Sequence, residues 1–253
     1  MKKKNEIIEF VIDKVDFPNK GKAVHDSGNI RFKGGIEGQK VRARVGKIRK
    51  GITEVKIIEV IESSPLEKES GCKHFGLCGG CSYQTLAYED ELKLKETQVK
   101  ELFERENLNI NLLGIEPSPI RVGYRNKMEY TFGDEEKGGP LSLGLHMKGK
   151  FYETINTTDC NIIDDDFNLI RERVRDYFDE ENVPFYNTRQ HKGLLRHLVI
   201  RKAQKSQEIL INLVTSSQQE INGDGFKEML LNLKLDGEIK GILHTINDSL
   251  GDV

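Results

Sequence analysis

Cys72, Cys78, Cys81 and Cys160 are the only cysteines in the 253-residue chain. Their spacing is C-x5-C-x2-C, then 78 residues, then the last cysteine. In a chain with no export signal, clustered cysteines point to metal before disulfides. The C-x2-C pair lets two thiolates converge on one centre. Gly79 and Gly80 between them permit a tight turn and leave backbone N–H groups free to approach sulfur. Zinc and a [4Fe–4S] cluster both accept four thiolates, and the spacing does not separate them. Four unligated buried thiols are disfavoured, because three of the four lie within ten residues. A radical enzyme that leaves one iron open is a poor match: its usual spacing is C-x3-C-x2-C, and a fourth cysteine would close that iron. His74, inside the loop, is better placed to hydrogen-bond sulfur or backbone than to ligate iron.

The elements that must position these residues are legible in the hydrophobic pattern. Residues 1–64 read as short strands. Ile8, Phe10 and Ile12 share one side, and Val41, Ala43 and Val45 alternate with Arg42, Arg44 and Gly46. Turn signals at Pro18-Asn19-Lys20-Gly21, Asp26-Ser27-Gly28-Asn29, Gly34-Gly35 and Arg49-Lys50-Gly51 separate them. The pattern predicts a small all-β, OB-like barrel, with Arg42, Arg44, Lys47, Arg49 and Lys50 on its wet side. Ser63-Ser64-Pro65 reads as a linker. Residues 65–253 read as an α+β central domain. It opens on a cysteine-rich, cluster-binding loop at 71–84. A helix from Thr85 to Glu106 follows, capped by Thr85, with Tyr88, Leu92, Val99 and Leu102 as its apolar stripe and Lys95 on the same side. Strands are predicted over 124–132, 141–147, 151–155, 194–201, 209–215 and 240–246, and helices over 164–180 and 226–233. Arg125 and Lys127 fall on one face of the first of these strands. The last strand stops within a few residues of Val253, which suggests a chain cut within a larger fold.

Composition narrows the classes. Hydrophobic residues make up 36%, ordinary for a soluble globular protein. No apolar stretch approaches the ~20 residues of a membrane span, and the start MKKKNEIIEF lacks a signal-peptide core. A cytoplasmic, monomeric protein is the expectation. The net charge is −2, but residues 1–65 carry 15 Lys/Arg against 9 Asp/Glu while the remainder carries 24 against 32. A basic segment on an acidic body suggests a polyanionic partner.

The run Cys72-Lys-His-Phe-Gly-Leu-Cys78-Gly-Gly-Cys81-Ser-Tyr-Gln84 resembles the cluster motif of the 23S ribosomal RNA (uracil-5-)-methyltransferases of the RumA type. The likeness extends through Tyr88, Leu92, Lys95 and Val99, through Gly123-Tyr124-Arg125-Asn126-Lys127-Met128-Glu129-Tyr130, through Asp159-Cys160, and through Leu195 to Arg201. The first 64 residues resemble the TRAM domain of that family. The resemblance implies a [4Fe–4S] cluster on Cys72, Cys78, Cys81 and Cys160. It also implies RNA contacts, with 23S ribosomal RNA as the partner, from Arg42, Arg44, Lys47 and Arg49 of the barrel and Arg125 and Lys127 of the central domain. Arg196 and Arg201 are weaker candidates. It further implies a C-terminal domain that binds S-adenosylmethionine and attacks C6 of uracil with a cysteine. The sequence departs from the family here. It shows no glycine-rich nucleotide turn and no cysteine beyond the four. The sequence therefore predicts the N-terminal portion of the enzyme, with no catalytic or S-adenosylmethionine-binding residue of its own and inactive alone. The alternatives are a free-standing RNA-binding protein with a structural iron–sulfur or zinc site, and a redox sensor.

Overall fold

The computed structural model describes residues 4–25, 28–150 and 152–251. The turn predicted at Asp26-Ser27-Gly28-Asn29 lies partly outside them, as do Phe151, where the sequence predicts a strand start, and the end of the chain at Val253. The chain divides into two compact units that interleave in sequence. One is Met1–Gly71 with Ser82–Ser118, the other Cys72–Cys81 with Pro119–Val253.

The first unit contains β1 (Ile7–Val11), β2 (Lys14–Asp16), β3 (Lys20–His25), β4 (Gly28–Lys33), β5 (Lys40–Arg49), β6 (Ile52–Glu62) and helix α1 (Tyr88–Arg105). The strands form one sheet in the order β1-β5-β6-β4-β3-β2. Neighbours run antiparallel except β4 and β6, which are parallel. Alternation sets the faces: Ile8, Phe10, Ile12, Val41, Ala43 and Val45 are buried, whereas Val11 is half exposed. Gly21 is required for space. It pairs with Phe32 across β3 and β4, and a Cβ there would sit 1.8 Å from the Phe32 ring.

Helix α1 differs from its sequence expectation. It starts after Ala87, which gives no side-chain cap. Thr85 donates instead to Glu67 Oε1 at 2.8 Å. The predicted stripe is only partly covered. The buried residue is Gln98, whose Nε2 donates to the Val15 carbonyl at 2.8 Å. Lys95 pairs one turn back with Glu91 at 2.5 Å. Polar links carry the rest of the attachment: Lys14 to Glu101 at 2.5 Å and Arg105 to Asp16 at 3.4 Å.

The second unit contains β7 (Lys127–Gly133), β8 (Ser142–His146), β9 (Thr154–Ile155), α2 (Asp165–Glu180), β10 (Leu195–Lys202), β11 (Glu208–Thr215), α3 (Gly223–Leu231) and β12 (Glu238–Ile246). Its sheet order is β12-β11-β10-β7-β8-β9, with β11 and β12 parallel. Asp164 caps α2, its side chain accepting the Asp166 amide at 3.0 Å. Phe167, Ile170, Val174 and Phe178 recur at helical spacing. They pack in one core with Met128, Tyr130, Phe132, Leu198 and Ile200 from the sheet's inner face. Each such side chain, fully buried, is worth about 1.5–3 kcal/mol. The other face of the sheet presents Lys127, Glu129 and Thr131 opposite Arg201, Val199 and His197.

The architecture therefore corrects the fold class read from the sequence. An all-β OB-like barrel followed by an α+β cluster domain is replaced by two six-stranded mixed sheets with three helices among the described residues. Period-two patterning located most strands, though β7 begins at Lys127 and β3 and β4 take in residues read as turns, but it cannot give their order. Order decides the class, and each sheet carries one parallel pair that a meander of short strands would lack. No helix is long and apolar enough to cross a membrane among the described residues.

Candidate metal centre and nucleic-acid interface

Cys72, Cys78, Cys81 and Cys160 line one cavity in the second unit, with His74, Phe75, Gly80, Leu145, Thr157, Asn161 and Ile162. The loop that carries the first three is held on both sides. Its own turn closes through Phe75 N–H to the Cys72 carbonyl at 3.1 Å and Cys78 N–H to the His74 carbonyl at 2.9 Å. Gly79 N–H then donates to the His146 carbonyl at 3.2 Å and Lys148 N–H to the Leu77 carbonyl at 2.7 Å, fixing the loop to the end of β8. Gly80 N–H reaches Cys78 Sγ at 3.3 Å. His74 Nε2 accepts the Thr158 amide at 3.0 Å, so it joins the loop to the segment before Cys160.

Cys160 is positioned from α2. Asn168 Oδ1 accepts the Cys160 amide at 3.0 Å, and its Nδ2 donates to the Cys160 carbonyl at 3.2 Å. Lys73 pairs with Asp159 at 2.5 Å at the exposed rim. That bond holds the Asp159 carboxyl below its ordinary pKa. Burial pushes the Cys78 and Cys160 thiols up. A bound cation would reverse this, because a coordinating thiol is deprotonated outright. Among the described residues, no three His, Cys, Asp or Glu side chains close around a single metal ion. The four cysteines share the lining of one hollow instead.

The basic residues differ in what already holds them. Arg42 is spent on carboxylates: it meets Glu9 at 2.8 Å and Glu59 at 2.7 Å on the neighbouring strands. Arg44, Lys47 and Arg49 are exposed on β5. Arg125 does not share a strand face with Lys127. It precedes β7, bridges to Ile163 and points Nη1 at Met128 Sδ, 3.6 Å away. Its charge is felt at Cys78 and Tyr130. Lys127 begins β7, opposite Arg201, and pairs with Glu129 at 2.9 Å. Arg196 is nearly buried. Its guanidinium donates to the carbonyls of Asn247 and Ser249, both at 2.8 Å, and of Gly251 at 3.0 Å.

A second cavity was missed by the sequence reading. It lies on the outer face of the second sheet, between β7, β10 and the loop 185–190, and measures about 280 Å³. No periodic signal marks it, because its lining comes from five separate segments. The polar run Asn187-Thr188-Arg189-Gln190-His191 was the available hint.

The fold places the chain among known structures. The crystal structure of the Pyrococcus abyssi tRNA (uracil-54, C5)-methyltransferase in complex with S-adenosyl-L-homocysteine has the same fold. The TM-score is 0.66 at 21% identity, covering 97% of this chain and 52% of that one. The sequence is also similar to particular proteins. It is 46% identical over 250 residues to an uncharacterized RNA methyltransferase of Caldanaerobacter subterraneus subsp. tengcongensis, covering 98% of this chain. It is 45% identical over 252 residues to one of Clostridium acetobutylicum, covering 99%. The chain spans about half the length of these relatives, 55% in both cases. No family model matches it.

Two expectations are corrected by these similarities. The fold class is the two-sheet α/β arrangement of a methyltransferase structure along 97% of the chain. The expectation of a catalytically silent chain does not stand either. It rested on the lack of a glycine-rich nucleotide turn and of a cysteine beyond the four. The likeness to RNA methyltransferases instead runs through nearly every residue present.

Proposed function

We propose that the protein is an S-adenosylmethionine-dependent RNA methyltransferase that modifies C5 of uracil, of the type that acts on 23S ribosomal RNA, working as a cytoplasmic monomer. The observation that carries this reading is the unbroken similarity to RNA methyltransferases over 98% of the chain. The fold shared with a uracil-C5 enzyme supports the choice of base and atom. S-adenosylmethionine supplies an electrophilic methyl group when bound.

In this reading Cys72, Cys78, Cys81 and Cys160 hold a [4Fe–4S] cluster. A single zinc ion draws four sulfurs to one point at about 2.3 Å each, whereas a cube of irons sets them around a larger volume. Four cysteines lining one hollow suit the cube. The cluster's role here is to tie the 71–81 loop to the segment at Cys160. RNA is held by Arg44, Lys47 and Arg49, with Arg42, Arg125 and Lys127 contributing where their present partners release them.

The test is methyl transfer. The protein is incubated with methyl-tritiated S-adenosylmethionine and either ribosomal RNA or tRNA, and the digested RNA is resolved into nucleosides. Label in 5-methyluridine from ribosomal RNA is expected. Label in another nucleoside, or tight RNA binding with no transfer, would contradict the reading and favour a free-standing RNA-binding protein.

A further inference from the structure

We infer that the cavity on the outer face of the second sheet binds a single nucleotide of a single-stranded RNA, a subsite that deepens, and rests on, the RNA reading above. Its floor is a cross-strand pair, Thr131 on β7 and His197 on β10, with Thr131 Oγ1 and His197 Nδ1 3.4 Å apart. Its walls carry two cation–aromatic stacks. The Arg189 guanidinium lies 3.9 Å from the centroid of the Tyr152 ring, and that of Arg196 lies 4.4 Å from the centroid of Tyr186. At about 280 Å³ the hollow lies at the small end of the range for small-molecule sites, the scale of one nucleotide rather than of a duplex.

The charges favour an anion. Among its lining residues Lys137, Arg189 and Arg196 outnumber Asp134 and Glu153, and Glu153 is paired with Lys150. Arg189 and Lys137 add two positive charges to the lining, with the Arg189 guanidinium over the Tyr152 ring. Flat cationic and aromatic planes beside an excess of positive charge are what an unstacked base and its phosphate require.

The loop that brings Arg189 is built to hold still. Asn187 Oδ1 accepts the amides of Arg189 at 3.0 Å and Gln190 at 3.1 Å. Tyr186 N–H donates to the Leu195 carbonyl at 2.7 Å. Gly193 closes it at φ +113°, where a Cβ would lie 2.0 Å from the Phe185 carbonyl oxygen. Lys127 and Arg201 lie on the same sheet face, about 13 Å from the Thr131–His197 pair at ~3.3 Å per residue. They can receive a neighbouring phosphate, so the face forms a track that ends in the cavity.

The experiment is fluorescence anisotropy of the protein with a labelled eight-nucleotide single-stranded RNA over a range of salt. Tyr152 is half exposed, so Tyr152→Ala leaves the core untouched. It should weaken binding about tenfold without changing the salt slope, because it removes stacking. Tyr152→Phe should bind within about twofold of the natural protein, since the ring plane is kept. Arg189→Ala should weaken binding and flatten the slope by about 0.7, one phosphate contact. A 4-thiouridine in the RNA should cross-link to peptides spanning 185–197 or containing Tyr152. Unchanged affinity and slope in both alanine variants, with cross-links elsewhere, would overturn the subsite and leave the RNA reading standing. No binding by the natural protein at low salt would overturn both.

Discussion

In the first unit, cations lie outside the sheet and pair there with carboxylates, of which Asp16, met by Arg105, is buried. Arg42 bridges Glu9 and Glu59, and Lys40 meets Glu62 at 2.8 Å, all on exposed strand faces. In the second unit, some pairs are exposed too, such as Lys127 with Glu129, but Lys202 and Arg171 go inside. Lys202 is 5% exposed and meets Asp164 and Asp166, both at 2.8 Å. Arg171 is 1% exposed and donates to the Leu143 carbonyl at 3.1 Å and Asn156 Oδ1 at 2.6 Å. Exposed pairs contribute about 0–1 kcal/mol each. Breaking a buried pair costs several, because the remaining charge is stranded. The first unit's exposed charges are therefore available to exchange partners. The buried Lys202 and Arg171 of the second unit are part of its frame, and that frame holds the cysteine cavity and the outer-face subsite.

The largest effect expected from this contrast concerns the cysteines. Protein purified without oxygen should be brown, with about four irons per chain. Cys81→Ser should lose the colour and lower the melting transition of the second unit while sparing that of the first. A metal that closes a 78-residue gap contributes its binding energy to folding. Stoichiometric zinc without iron after iron-replete preparation would remove the cluster.

Next comes the buried pair. Lys202→Met strands Asp164 and Asp166 and should destabilise the second unit by about 3 kcal/mol, read from denaturant midpoints. Its pH dependence sharpens the test. Burial pushes the Asp166 carboxyl up, but Lys202 and the amides of Asp236 and Gly237 outweigh it and hold it below its ordinary value. Its contribution is complete above the unfolded carboxylate pKa near 3.9 and is lost as pH falls through the lower folded value. For Lys202, burial lowers the pKa and the two aspartates raise it further, for a net rise. That contribution is complete below about 10.4 and is lost as pH climbs through the raised folded value. The variant should flatten both limbs. Unchanged limbs would mean that the pair is no part of the frame.

The smallest effect lies on the first sheet. Replacing Arg44, Lys47 and Arg49 with Ala together should flatten the salt dependence of RNA binding by about 2, from roughly 0.7 per contact. Arg42→Ala alone should change it little, since Glu9 and Glu59 already neutralise that charge. A full 0.7 lost from Arg42→Ala would show that the ion pairs open for RNA.

The sequence carried the local elements well, for physical reasons. Phe167, Ile170, Val174 and Phe178 mark a helix because one face must be buried, and all four are buried. Val41, Ala43 and Val45 mark a strand in the same way. Strand order was not legible. The parallel pairing of β4 with β6 and of β11 with β12 depends on contacts between distant segments that no local period encodes. Helix α1 misled because its stripe is only half covered and its anchors are polar. The cysteines were legible as a set, since type and spacing both speak. Arg125 was misplaced because β7 begins only at Lys127, which takes Arg125 out of the strand's alternation. The outer-face cavity was invisible, because Tyr152, Arg189 and His197 meet only after folding.

The claim that this protein methylates uracil C5 in RNA is tested most directly in cells. Ribosomal and transfer RNA from a strain lacking the gene, and from the same strain with the gene restored, should be digested and mapped for 5-methyluridine by mass spectrometry. The account predicts that one or more 5-methyluridine positions vanish from ribosomal RNA on deletion and return with the gene. An unchanged 5-methyluridine map in both RNAs would contradict it.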